Sequence, residues 1–347
     1  MAKSKRHDAI VWLTESQTDL IAKVAKRAGI NVIGAGSPVR GQSSAVAKAL
    51  GAEPHDDLRA TLARAECDVF LLAAPGDFGQ RAPEDTGAIL GARARNVRIA
   101  TFEPIPSSAL DFASAAWRPH AGADPADAVR FCALARLSRP YREATEVLQS
   151  FGPVRTLTLA AWCKPEQGSL GARLYSAMEL ALSLFGEAES VDAAYVSPAQ
   201  TRGLTNAPGE TLRNLHGDLT ATLRYSDGRA ATLVASDHAG RWNREITLLG
   251  PGGRLRIFDD GFEWISPDGD KIDAARPPEA KRGVKPEATR GEIALADGLA
   301  RLLDKSRPDD GAPDHASILA MAQAALLSAR TAQPESPGTI RRLVGAG

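Results

Sequence analysis

Cysteine and aromatic residues are scarce in this sequence, and its charges cancel. The three cysteines, Cys67, Cys132 and Cys163, are odd in number and far apart, which argues against both a disulfide framework and a zinc cluster and leaves them as packing residues. Aromatic residues make up 5% of the 347 and form no stripe beside basic residues, so no stacking surface for nucleic acid is expected. Lys and Arg number 42 against 42 Asp and Glu, and without a basic excess a phosphate backbone is not an expected partner. The histidines His7, His55, His120, His216, His238 and His315 show no metal-ligand spacing, so no metal is expected. Long apolar runs are also missing: none reaches the ~18 residues of a membrane span, and no apolar stretch follows the basic start. The expectation is a globular, cytoplasmic protein that binds neither membrane nor nucleic acid. No Gly-x-Ser-x-Gly elbow or Cys/His pairing points to nucleophilic catalysis.

What is present is a chain 44% hydrophobic and 24% charged, longer than the ~250–300 residues at which single cores stop growing. Two domains are expected, residues 1–122 and 123–347. In the first, apolar strands at Ala9–Leu13, Ile30–Ile33, Cys67–Ala73 and Val97–Thr101 alternate with helical stretches at Leu20–Ala28, Ser43–Leu50, Leu58–Ala65 and Gly87–Ala94. That alternation gives a Rossmann-like, largely parallel α/β sheet. Ligands of such sheets sit at the carboxyl ends of the strands, so the loops to watch are Thr14–Thr18, Gly34–Arg40, Ala74–Gly79 and Phe102–Pro106. The second domain reads as α+β. Helices at 126–137, 139–151 and 170–185 and a long strand at 154–162 precede strands separated by the turns Asp227-Gly228, Pro251-Gly-Gly, Asp260-Gly261 and Asp268-Gly269, the pattern of a large antiparallel meander. Residues 273–290 read as a loop, and the closing helices at 292–303 and 316–331 are expected to pack back toward the first domain. A sheet this large has helices enough for one face, so its other face is expected to be an exposed apolar one that joins two copies as a homodimer.

The first strand runs into Thr14-Glu-Ser-Gln-Thr-Asp19, where a dinucleotide site carries three glycines for the tight turn, the approach of the pyrophosphate and close helix packing. Thr14, Ser16 and Asp19 stand in those places. Side chains there fill the space of a pyrophosphate, and Asp19 adds a carboxylate where the phosphate charge belongs. Ser16 and Asp19 have capping-box spacing, which closes the helix end without an anion. Gly34-Ala-Gly36 lacks a third glycine and is interrupted by Pro38. No acidic residue for an adenosine ribose ends the second strand, whereas Ser37 and Arg40 suit a 2′-phosphate, so the expected cofactor is none, or weakly bound NADP. Thr14, Ser16, Ser37, Arg40, Ala74, Pro75 and Glu103 are the candidate cofactor contacts.

Segments along nearly the whole chain resemble the Gfo/Idh/MocA family, named for glucose-fructose oxidoreductase and inositol dehydrogenase. They are Asp56-Asp-Leu-Arg-Ala-Thr-Leu62, Arg139-Pro-Tyr-Arg-Glu-Ala144, Leu223-Arg-Tyr-Ser-Asp-Gly-Arg-Ala230, Ile246-Thr-Leu-Leu-Gly-Pro-Gly-Gly-Arg-Leu255 and Ser328 to Pro337. The resemblance implies an NAD(P)-dependent oxidoreductase of a sugar or polyol. The positions that carry its chemistry depart from the pattern. The family's Glu-Lys-Pro becomes Phe102-Glu103-Pro104, which puts a carboxylate where the resemblance implies a lysine donor. The family's Asp-x-Gly-x-His, on the helix facing the nicotinamide, falls on Ala172-Arg-Leu-Tyr-Ser176, so neither acid nor imidazole is there to move the proton that accompanies a hydride. Glu103, Tyr175 and Glu179 are the remaining candidate catalysts, although residues such as Tyr175 and Glu179 are more often helix-surface or packing residues. Asp237-His238, near Arg241 and Arg244, is the densest polar cluster of the sheet region; it reads as a pocket lining or as a strand end. The expectation is a family-fold protein that has lost dinucleotide binding and hydride transfer and serves as a binding or assembly subunit for a carbohydrate or polyol, with a divergent NAD(P)-dependent oxidoreductase as the alternative.

Overall fold

A computed structural model describes residues 6–80, 82–114, 117, 125–198, 207–275, 288–304 and 313–345. The chain forms two compact units, Met1–Cys132 with Leu295–His315 and Ala133–Ala294 with Ala316–Gly347. The boundary expected at 122/123 lies outside the described residues. Among the described residues no helix is long and apolar enough to cross a membrane.

The first unit contains β1 (His7–Trp12), α1 (Thr18–Ala28), β2 (Ile30–Gly36), α2 (Ser43–Leu50), β3 (Glu53–His55), α3 (Leu58–Arg64), β4 (Val69–Leu72), α4 (Ala82–Ala94), β5 (Arg98–Thr101), α5 (Ala109–Ala113), α6 (Pro125–Ala128) and β6 (Val129–Phe131). The strands form one parallel sheet in the order β3-β2-β1-β4-β5-β6. Strands covered on both faces must be apolar throughout, and every residue of Val69–Leu72 is buried. Ile10, Trp12, Leu62, Phe70, Leu72, Ile89 and Ile99 form one core, each contributing about 1.5–3 kcal/mol by leaving water.

Two expectations fail in this unit. Gly34-Ala-Gly36 is the end of β2 and no loop: a Cβ on Gly34 would run into the His55 ring, and one on Gly36 into the indole of Trp12. Those glycines make room for neighbouring side chains. The helix expected over 126–137 is α6, then β6, then a 3-10 turn at Ala135–Leu137. Pairing with β5 overrides a helical pattern there, since Val129 and Phe131 complete the buried edge of the sheet. β3 and α5 were not expected at all.

The second unit holds α7 (Arg139–Phe151), β7 (Thr156–Trp162), α8 (Leu170–Phe185), β8 (Ser190–Val196), β9 (Asp218–Arg224), β10 (Ala230–Ser236), β11 (Asn243–Gly250), β12 (Gly253–Phe258), β13 (Gly261–Ile265) and β14 (Lys271–Ala275). After these come α9 (Arg290–Leu303), α10 (His315–Thr331) and α11 (Pro337–Gly345); α9 and α10 each begin in one unit and end in the other. The strands build an eight-stranded sheet, β14-β13-β12-β11-β7-β10-β9-β8. It is antiparallel except that β7 runs parallel to β10. The meander is therefore interrupted: β7 inserts between β10 and β11, which a reading of local turns cannot reveal. β8, β14 and α11 were also unexpected, and β14 takes the first residues of the loop placed at 273–290; residues 276–287 lie outside the described residues.

Alternation assigns the two faces of this sheet. Leu157, Leu159, Leu223, Leu233, Ile246 and Leu248 are buried, on the side where α8 meets β7 and β10 and α7 meets β12 and β13. Helix α8 is buried on nearly all sides from Leu170 to Ala181, the polar Arg173, Ser176 and Glu179 included. The opposite face is polar where an apolar one was expected. Register sets Thr222, Thr232, Thr158 and Thr247 side by side in one row, continued by Asp192 at one end and by Arg256 and then Glu263 at the other.

Candidate functional site

In the first unit, β1 lies between β2 and β4, so loops leaving β2 and β4 flank the turn at the end of β1. That turn is a 3-10 turn, Glu15–Gln17, preceded by Thr14. Gln17 is buried and staples it: its Oε1 accepts the Thr14 N–H at 3.0 Å, and its Nε2 donates to the Ala73 carbonyl at 3.2 Å. The Thr14 and Ser16 hydroxyls are 3.0 Å apart. The capping box therefore joins Thr14 to Gln17, and the one expected between Ser16 and Asp19 is not formed. The physical reason is the extra 3-10 turn, which starts the helical path earlier and moves Asp19 into the first turn of α1, where its charge complements the helix dipole.

The flanking loops close over the same place. Ser37 is buried, and its hydroxyl accepts the Val39 N–H at 3.2 Å, while Arg40 is exposed. Next to Ser37, Pro38 packs so closely on Gly76 that a Cβ there would lie 2.7 Å from the proline Cβ. Since β2 and β4 sit on opposite sides of β1, this contact passes over the end of β1. Ala73 and Ala74 both donate to the Trp12 carbonyl, at 2.9 and 3.0 Å, and Pro75 accepts from Phe78. Fully buried Asp85 fixes the rest of that loop, accepting from Gly79 N–H at 2.8 Å and Arg59 Nε at 2.6 Å. Glu103 is half-buried, with its own N–H and carbonyl bonded to the Thr101 hydroxyl.

In the second unit, Ala172, Tyr175, Ser176 and Glu179 are all buried on α8. The Ser176 hydroxyl donates to the Ala133 carbonyl at 3.0 Å. Glu179 Oε1 stands 2.7 Å from Arg136 Nε, and its Oε2 has no hydrogen-bond partner among the described residues. Burial pushes the Glu179 carboxyl up to about 7, against the opposing pull of Arg136 and Arg244. The same helix carries Arg173, whose guanidinium lies 4.1 Å from the centre of the Trp242 ring. Asp259 accepts from Trp242 Nε1 at 2.6 Å and from Arg244 Nη2 at 2.5 Å.

The Asp237-His238 cluster gains a third member that the sequence reading missed. Asp237 is fully buried just past β10 and accepts from Gly217 N–H at 2.8 Å. His216 Nδ1 lies 2.6 Å from one of its oxygens and His238 Nδ1 2.5 Å from the other. Burial opposes the charge on Asp237, but the hydrogen bonds from His216, Gly217 and His238 outweigh it and hold the carboxyl below its ordinary value. Asp237 thereby anchors the root of the β10–β11 connection, which carries Ala239, Arg241 and Trp242. Those three, with Trp162, Asn243 and Arg290, line a cavity of about 560 Å³. Gln17, Trp162, Arg173 and His216 had gone unnoticed, because each acquires its partners only through sheet register or a distant loop. Among the described residues no group of three or more His, Cys, Asp or Glu is placed to hold a metal ion.

The parallel α/β unit joined to a unit built on a large, mostly antiparallel sheet defines the fold of the Gfo/Idh/MocA-type oxidoreductases. The sequence matches no protein-family model and no curated protein. Solved structures match it over almost its whole length. An oxidoreductase from Agrobacterium radiobacter in complex with NAD+, L-tartaric acid and magnesium is 16% identical, with a TM-score of 0.64 over 97% of this chain and 100% of that one. A myo-inositol 2-dehydrogenase from Lactobacillus plantarum is 15% identical, with a TM-score of 0.64 over 96% and 99%. A levoglucosan dehydrogenase in complex with NADH and levoglucosan is 12% identical, with a TM-score of 0.65 over 96% and 99%. The resemblance drawn from sequence thus holds at the level of the fold.

Proposed function

We propose that this chain keeps the oxidoreductase fold without dinucleotide binding or hydride transfer, and works as a homodimeric binding subunit for a carbohydrate or polyol. The observation that carries this reading is the Gln17 staple. A pyrophosphate at the end of β1 needs open space and free backbone N–H groups. Here Gln17 takes the Thr14 N–H and ties the turn to Ala73, and the Pro38–Gly76 contact covers the same strand end. The residues present do not fit the group. The proton-transfer positions agree, since Ala172 has no titratable group and the Ser176 hydroxyl is bonded to a backbone carbonyl.

Calorimetric titration with NADH and NADPH tests the reading. No saturable binding is expected, and a dissociation constant below about 10 μM, roughly 7 kcal/mol of binding, overturns it. The second reading is a divergent oxidoreductase that binds NADP through Ser37 and Arg40 and uses Glu103, Tyr175 or Glu179 as its base. It is favoured by the NAD+ and NADH bound to similar structures, and the same titration separates the two.

A further inference from the structure

We propose that the cavity lined by Trp162, Ala239, Arg241, Trp242, Asn243 and Arg290 binds a sugar acid, with Trp162 under the sugar ring and Arg241 on its carboxylate. The proposal rests on the binding-subunit reading and names its ligand class. The cavity, about 560 Å³, is within the range of small-molecule pockets and belongs wholly to the second unit. Its residues come together through register: Trp162 pairs with Asn243 across β7 and β11, and with Ser236 on β10, whose continuation is the Asp237-anchored loop.

The chemistry of the lining selects the ligand. Trp242 is buried, its ring covered by Arg173 and its indole N–H bonded to Asp259, so it forms a fixed wall. Trp162 is 36% exposed and offers the flat apolar surface on which the C–H face of a pyranose settles. Asn243 supplies both donors and an acceptor for hydroxyls. Arg290 already faces Asp260 at 2.7 Å, and Arg244 faces Asp259. Arg241 is exposed and has no ion pair or hydrogen bond among the described residues, so its guanidinium fork is available to a carboxylate. A neutral sugar leaves that cation unmatched, and an apolar ligand leaves most of the lining unsatisfied.

The test is tryptophan fluorescence and calorimetry on the full chain with D-glucuronate, D-glucose and acetate, each up to about 20 mM, with and without NADPH. Arg241→Gln and Trp162→Ala alter exposed side chains, and circular dichroism checks that both variants fold. D-glucuronate should saturate the nucleotide-free protein about tenfold more tightly than D-glucose, and acetate should not bind. Arg241→Gln should bring D-glucuronate down to the level of D-glucose, and Trp162→Ala should abolish binding of both. Failure of all three probes, or D-glucuronate binding that neither variant alters, overturns the pocket assignment and leaves the binding-subunit reading untouched. D-glucuronate binding that requires NADPH and is lost in both variants sustains the pocket and overturns that reading instead.

Discussion

At the scale of single residues, two carboxylates separate packing from chemistry. Glu179 is buried, and its folded-state value is raised from 4.5 to about 7. A carboxyl raised on folding favours the protonated form, so its stabilising effect is fully present below about 4.5 and is lost as pH rises through about 7. A shift of that size corresponds to about 3 kcal/mol. Urea unfolding should therefore show the protein more stable at pH 5 than at pH 8 by an amount of that order, and Glu179→Gln should flatten the difference; a variant with the wild-type slope would assign the effect to another group. Glu103 concerns chemistry. A carboxylate at a position where the family resemblance implies a lysine repels a developing alkoxide ~4 Å away by about 4 kcal/mol at an effective dielectric of 20, about a thousandfold in rate. Oxidation of polyols with NAD or NADP should be undetectable by nicotinamide absorbance, and Glu103→Lys should not restore it, because Ala172, Ser176 and the Gln17 staple remain. Turnover by the unmodified protein that Glu103→Gln abolishes would make Glu103 a working base.

At the scale of elements, the β1–α1 turn ties two strand ends together. Gln17→Ala removes bonds to Thr14 and to Ala73 and leaves a half-buried N–H and a buried carbonyl with no protein partner, at about 1–3 kcal/mol. Urea titration should register that loss, and a change below about 0.5 kcal/mol would mean that the staple contributes nothing. The turn also marks where the sequence could be read and where it could not. That Thr14, Ser16 and Asp19 replace glycines is visible in the sequence, but that Gln17 closes the turn is not, because Ala73 lies 56 positions away. α7 and α8 were legible from period and caps: Ser169 accepts the Ala172 N–H, and Gly186 with φ 79° ends the helix. β6 was not, since three residues carry no period and gain strand identity only by pairing with β5. The parallel placement of β7 beside β10 depends on tertiary register, and so do the Trp162 cavity and the third member of the Asp237 cluster. Asp237, His238, Arg241 and Arg244 were legible as a polar group because they are close in sequence; His216 joins them from the segment that leads into β9.

At the scale of the whole molecule, the uncovered sheet face is where we expect two copies to meet, around its threonine row and short of the strand ends that carry Trp162 and Asn243. Six of the eight strands, β12 to β8, overlap about an axis between β10 and β7; spaced about 4.8 Å and about 23 Å long they present at most roughly 660 Å², within the range each partner contributes to a standard interface. The row Asp192, Thr222, Thr232, Thr158, Thr247, Arg256 is compatible with pairing to itself. A two-fold axis parallel to the strands and between β10 and β7 sets Thr232 of one copy over Thr158 of its partner and Thr222 over Thr247, and brings opposite charges together at Asp192 and Arg256. The threonine methyls are buried by this stacking, and the hydroxyls find partners across it. We therefore expect a dimer at micromolar concentration by light scattering coupled to size exclusion. Thr158→Arg combined with Thr232→Arg puts four cations beside the axis, and at ~8 Å each pair repels by about 2 kcal/mol at an effective dielectric of 20. Both positions are exposed in the single chain, so the double variant should fold and run as a monomer. A monomeric wild type, or a double variant that remains dimeric, would move the interface away from this face.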